Sequence, residues 1–145
     1  VFDQTMLIKK LMPSKGVLTE RQPTIGELED MEFGYKMAKE IGQLDIGQTV
    51  VVKHKAVMAV EAIEGTDECI KRGGALGRGD AVVVKVAKPN QDLRFDVPTV
   101  GVKTINSMIA GNSKALVIEA DNTLLVEKSK VLELAKKNNI TIVAL

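Results

Sequence analysis

The chain has 145 residues, of which 45% are hydrophobic and 27% charged, enough for one domain burying about 70% of its unfolded-chain surface. A net charge of +1 and an aromatic content of 3% argue against a nucleic-acid partner, which calls for a basic field and stacking rings. No apolar run approaches the ~20 residues of a membrane span. The single cysteine, Cys69, excludes an internal disulfide and a Cys-based zinc set, so a reducing cytoplasm fits best. The chain starts at Val1-Phe2, without a signal-peptide pattern, and is expected to be a piece of a longer protein.

Phe2 to Met12 reads as a short helix, with Asp3 as N-cap and Pro13 at its exit. Met6, Leu7, Ile8 and Leu11 give it an apolar face suited to a partner surface. Pro13 to Pro23 reads as loop. Thr24 and Glu27 have the spacing of a capping box, and Leu28, Met31, Tyr35, Ala38 and Ile41 recur at helical intervals before Gly42 to Gly47 end the run. Thr49 to Lys53 and Ala56 to Ile63 are Val-rich and predict an antiparallel hairpin, with His54 as a solvated turn residue. Gly65-Thr66-Asp67 opens a helix towards Leu76 in which Cys69 reads as a small core residue. Ala81 to Val86 predicts a buried strand, Gly101 to Ile109 a helix, and Ala115 to Glu119 and Thr123 to Val126 strands. Lys128 to Asn138 predicts a helix and Ile140 to Ala144 a closing strand. This alternation predicts a single α/β domain with a mixed β-sheet flanked by helices.

The richest chemistry lies between residues 85 and 103. After the apolar run come Lys85, Lys88, Asn90, Gln91, Asp92, Arg94, Asp96 and Thr99, among two prolines and before Gly101. A structural loop needs turn residues but not this density of donors and carboxylates beside a strand end, where ligands of open α/β sheets bind. Lysine and arginine suit phosphates, and aspartate suits a metal ion or an activated water. Lys85 stands out because it lies within the apolar run. Asn90 and Gln91 can hold a base, a ribose or a sugar hydroxyl, or can instead stabilise the turn after Pro89. Read alone, Asp96 is equally a surface residue on a strand edge or in a capping loop. Glu64 and Asp67 are explained either as helix-start acids or as carboxylates near a metal.

Three segments carry a family resemblance: Leu44-Asp45-Ile46-Gly47-Gln48-Thr49-Val50, Ala59-Val60-Glu61-Ala62-Ile63-Glu64-Gly65-Thr66-Asp67, and Val86-Ala87-Lys88-Pro89-Asn90-Gln91-Asp92-Leu93-Arg94-Phe95-Asp96-Val97-Pro98-Thr99-Val100-Gly101. With them the chain resembles the carboxyl-terminal domain of the LpxI-type UDP-2,3-diacylglucosamine pyrophosphatases. The third segment is the specific one. One departure is visible: Glu119-Ala120-Asp121 stands where the family pattern has Glu-Ala-Gly.

The resemblance implies hydrolysis of a lipid-linked UDP-sugar to UMP and 2,3-diacylglucosamine 1-phosphate, by water attack on the α-phosphorus, in lipid A biosynthesis. It implies a divalent cation, usually Mg²⁺, and a site between this domain and an amino-terminal domain absent from this chain. Little turnover is therefore expected of the chain alone. The family's essential aspartate falls on Asp96, with Glu64 and Asp67 as further metal candidates. Lys85, Lys88, Asn90, Gln91, Arg94, Thr99 and Thr66 are the substrate-binding candidates. A cytoplasmic enzyme with transient contact to the inner-membrane surface follows from such a substrate, and a homodimer is left open. Two rivals stand beside this reading: a non-catalytic module that binds a nucleotide or lipid phosphate through the same loop, and a structural or dimerisation domain built on the helix from Thr24 to Ile41.

Overall fold

The computed structural model describes residues 11–89 and 97–145. Among them, a mixed sheet of order β1-β8-β6-β4-β2-β3 is covered by helices on both faces, with a two-stranded sheet β5-β7 beside it. The strands are β1 (Gly16–Val17), β2 (Thr49–Lys53), β3 (Ala56–Val60), β4 (Val82–Lys85), β5 (Thr99–Val100), β6 (Ala115–Ile118), β7 (Leu124–Leu125) and β8 (Thr141–Ala144). The helices are α1 (Ile25–Gln43), α2 (Thr66–Leu76), α3 (Val102–Ala110) and α4 (Lys128–Lys137). The expected single α/β domain with a mixed sheet is what forms.

The period of two in the Val-rich strands builds two cores from one sheet. Val50, Val52, Val82, Val84 and Val117 point towards α1, where Met31 and Ala38 meet them. Val51, Val83, Leu116, Ile118 and Ile142 point the other way, against Cys69 and Ile70 of α2, Ile105 and Met108 of α3, and Val131 and Ala135 of α4. β4, β6 and β8 are parallel, so α3 and α4 are crossover helices, as parallel pairing requires.

Direction decides where the polar loops gather. β2 is antiparallel to β4, and its first residue, Thr49, pairs with Lys85, the last residue of β4. β3 is antiparallel to β2, so it ends at that same end. The segments before β2, after β3, after β4 and after β6 therefore share one end of the sheet. The β2–β3 hairpin tip lies at the other.

Several boundaries differ from the expectation. β1 lies in the stretch read as loop and β5 in the polar loop; both are two-residue strands, too short to show a period, and form because β8 and β7 offer backbone partners. β3 stops at Val60 rather than Ile63. Glu61 N–H still bonds Thr49 O at 2.9 Å, but the chain then turns and leaves Ile63 exposed. The helix expected from Phe2 to Met12 falls almost wholly outside the described residues; Leu11 is about half exposed and Met12 is buried. Asp121, at the position of the missing glycine, takes a φ of 63°. Aspartate is one of the few residues that tolerates this left-handed conformation, so the turn survives the exchange. Among the described residues no helix is long and apolar enough to cross a membrane.

Candidate active site

At the carboxyl end of β4 the alternation turns Lys85 towards the α2–α3 face. Its side chain is only 9% exposed, and Nζ donates to Thr99 O at 2.8 Å. Burial lowers its pKa below the ordinary lysine value, while Glu61 and Asp67 act in the opposite sense. Lys85 opens into a cleft of about 330 Å³ lined also by Thr66, Asp67, Thr99, Lys103 and Glu127.

Three helices begin at this cleft. α2 starts after Gly65, α3 after Gly101 and α4 after Glu127, and none receives a side-chain cap from its first flanking residue. At α3 the contact is reversed and long, with Gly101 N–H at 3.4 Å from Thr104 Oγ1. Free amide groups and the positive ends of helix dipoles favour an anion in such a place. Gly65 is needed for this geometry, because its φ of 90° is one that side chains rarely adopt. The threonines are fixed from the sheet: Thr66 Oγ1 lies 3.3 Å from Thr49 Oγ1, and Thr99 pairs with Leu124 in the small parallel sheet.

The carboxylates are distributed differently. Asp67 lines the cleft and its Oδ2 is 3.5 Å from Lys103 Nζ, a largely exposed partner. Glu64 does not line it. Its carboxylate is gripped by Arg72 at 2.6 and 3.1 Å, which holds it below the usual carboxylate range. Among the described residues no three His, Cys, Asp or Glu side chains gather. Mg²⁺ is commonly held by one or two carboxylates together with substrate phosphates, and Asp67 fits that part better than Glu64.

Of the residues singled out from the sequence, Lys85, Thr66, Asp67 and Thr99 thus share one cleft. Lys88 stands apart from it, with Nζ 2.9 Å from Asp45 Oδ1 at the end of α1. Asn90, Gln91, Arg94 and Asp96 lie outside the described residues.

Sequence reasoning missed a second group on the α1 side of the same sheet end. Glu119 directly follows β6 and is 7% exposed. Its Oε1 bonds Lys39 Nζ of α1, and its Oε2 accepts from Asn122 Nδ2 at 2.6 Å. Lys39 also lies 5.7 Å from the Tyr35 ring centroid, and burial together with Glu119 raises the Tyr35 pKa. The signal missed was a glutamate closing a Val/Ile run, which reads equally as a strand-end residue. A larger groove, about 600 Å³ between α4 and residues 18–21, offers less chemistry, since Arg21 is committed to Glu27 and Thr141.

These features describe an α/β domain with a small cleft, at the carboxyl ends of its parallel strands, where Lys85 meets the starts of three helices. The chain belongs to the LpxI C-terminal domain family, whose model matches residues 14–143. It is similar to the UDP-2,3-diacylglucosamine pyrophosphatase LpxI of Caulobacter vibrioides, being 37% identical over 129 residues that cover 83% of this chain and 46% of that protein. The chain spans about half the length of the curated relative it matches.

Proposed function

We propose that this domain supplies the phosphate-binding side of a pyrophosphatase site that hydrolyses UDP-2,3-diacylglucosamine to UMP and 2,3-diacylglucosamine 1-phosphate. The observation that carries the proposal is the meeting of Lys85 with three uncapped helix N-termini in one cleft. A diphosphate brings dense negative charge, and preorganised donors in a partly dehydrated cleft stabilise the charge that develops during phosphoryl transfer. Lys85 holds a phosphate oxygen, Thr66 adds a hydroxyl donor, and Thr99, whose own hydroxyl donates to Val97 O at 3.1 Å, orients Lys85 through its carbonyl. Asp96 orients the water that attacks the α-phosphorus. A divalent cation bound by Asp67, Asp96 and the phosphates would polarise a phosphoryl oxygen and lower the pKa of a bound water. The remainder of the full-length protein closes the site and holds the lipid-linked part of the substrate, so the domain alone turns over slowly.

The test is UMP release by the full-length protein with Mg²⁺, wild type against Asp96→Asn. The mutant folds, binds the substrate and loses turnover by orders of magnitude, because the lost interaction acts in the transition state. An unchanged rate in the mutant ends the catalytic assignment and favours a binding module.

A further inference from the structure

We propose that Glu119 is a positioning residue for this hydrolysis, acting through the backbone of the strand exit at Ala87; the inference rests on the function proposed above. Ala87 lies between Lys85 and Lys88. The exit from β4 is anchored residue by residue. Lys85 Nζ donates to Thr99 O at 2.8 Å and Val86 N–H to Gln48 O at 2.9 Å. Ala87 N–H faces Glu119 Oε1 at 3.4 Å, and Lys88 Nζ meets Asp45 Oδ1 at 2.9 Å. Glu119 is the anchor that reaches furthest, because one carboxylate joins three elements.

Its orientation is fixed on every side. Lys39 approaches Oε1 from α1, Asn122 Nδ2 holds Oε2 at 2.6 Å, and Thr123 Oγ1 donates to the Glu119 carbonyl at 2.9 Å. Elsewhere α1 is already fastened to the sheet, by apolar packing through Met31 and Ala38 and by the Asp30 carboxylate, which accepts from the hairpin amides of His54 and Lys55. Burying the Glu119 carboxylate is a costly way to repeat that fastening, since it loses hydration while Lys39 stays 40% exposed. What the carboxylate adds is a directed acceptor for the Ala87 amide. That amide is the first backbone donor past β4 that the segment entering β2 does not take, because Gln48 O, just before β2, accepts the one before it. A displacement of about 1 Å at a reacting centre is enough to slow an enzyme 100-fold, so fixing this strand exit has catalytic value.

The experiment measures kcat, KM and residue-resolved amide exchange in the full-length protein carrying Glu119→Gln or Glu119→Ala. Glutamine keeps an oxygen that can accept from Ala87 but loses the attraction to Lys39. Glu119→Gln should lower kcat about 3–10-fold and Glu119→Ala about 30–100-fold, with KM within about threefold of wild type. Exchange at the Ala87 amide should accelerate in the same order. Wild-type kcat in either folded variant overturns the proposal, as does a loss of kcat with unchanged Ala87 exchange. If Glu119→Ala does not fold, Glu119→Gln decides by the same two readouts. Absence of UMP release by the wild-type protein is a separate outcome: it removes the hydrolytic reading itself, and the positioning role with it.

Discussion

Gly73 of α2 and Val51 of β2 are in direct contact: a Cβ at position 73 would lie 2.4 Å from Val51 Cβ and 2.6 Å from its Cγ2. The strand is pinned between two neighbours and the valine is fully buried, so neither side can yield cheaply. Gly73→Ala gains helix propensity, about 1 kcal/mol, but overpacks the core by about 1–3 kcal/mol. The expected result is a net loss of about 1 kcal/mol in urea unfolding. Gly26→Ala is the control, because nothing lies within 4 Å of its added Cβ, and it should stabilise by about 0.5 kcal/mol.

The hairpin tip carries a correctable conflict. His54 and Lys55 have φ of 52° and 57°, the pattern of a type I′ turn that favours Asn-Gly. The conformation is held by Asp30, whose buried carboxylate accepts from His54 N–H at 3.0 Å and Lys55 N–H at 2.9 Å. The double substitution His54→Asn, Lys55→Gly should raise stability by about 1 kcal/mol. Asp30→Ala should lower it by about 2–3 kcal/mol, since two charge-assisted bonds disappear together. Thermal melts of the three proteins at one pH check both signs.

Lys85 places stability and function in opposition. Its pKa is lowered by burial, so the native state sheds that proton at a lower pH than the unfolded chain. Below the folded pKa the cost of burying the ammonium is present in full; between the folded and unfolded values the unfolded state binds more protons, and stability rises with pH. Lys85→Met removes the cost and should stabilise the fold by about 1 kcal/mol at pH 7. The advantage shrinks as pH rises through the folded pKa towards the ordinary lysine value of 10.5. On the proposed mechanism the same variant loses most UMP release. Urea titrations at pH 7 and at alkaline pH, with activity on the same samples, test the pair of outcomes.

Cys69 is fully buried under β2, its thiol 3.9 Å from Thr49 O, and burial pushes its pKa up to about 12. The thiolate is the reactive form, so the native protein should be inert to iodoacetamide at pH 8 and label only on unfolding. Labelling across a urea series should therefore trace the unfolding curve seen by circular dichroism. Rapid labelling without denaturant would contradict this burial.

The elements that the sequence discloses are those whose forces are local. Thr24 and Glu27 form the reciprocal capping bonds that their spacing predicts, at 3.0 and 3.1 Å. The valine runs become strands because either face of the sheet can absorb them. β1 and β5 are hidden because two residues show no period and depend on partners far along the chain. Lys85 is readable as a buried cation because it continues an apolar run. Glu119 is not, because its partner Lys39 is 80 positions away and only the packing of α1 across the sheet joins them. Arg72 is a similar case: its grip on Glu64 depends on the chain turning after Val60, which the apolar pattern alone extends to Ile63.

The antiparallel hairpin gives the domain a handle. Thr49 stands beside Lys85, while residues 54 and 55 turn at the far end of the five-residue strand β2. A strand of that length spans about 16 Å. A fluorophore or surface tether attached at exposed Lys55 would therefore sit a full strand away from the cleft. It could report on or immobilise the protein from the end opposite the cleft, so single-molecule or surface measurements need not disturb the groups gathered around Lys85.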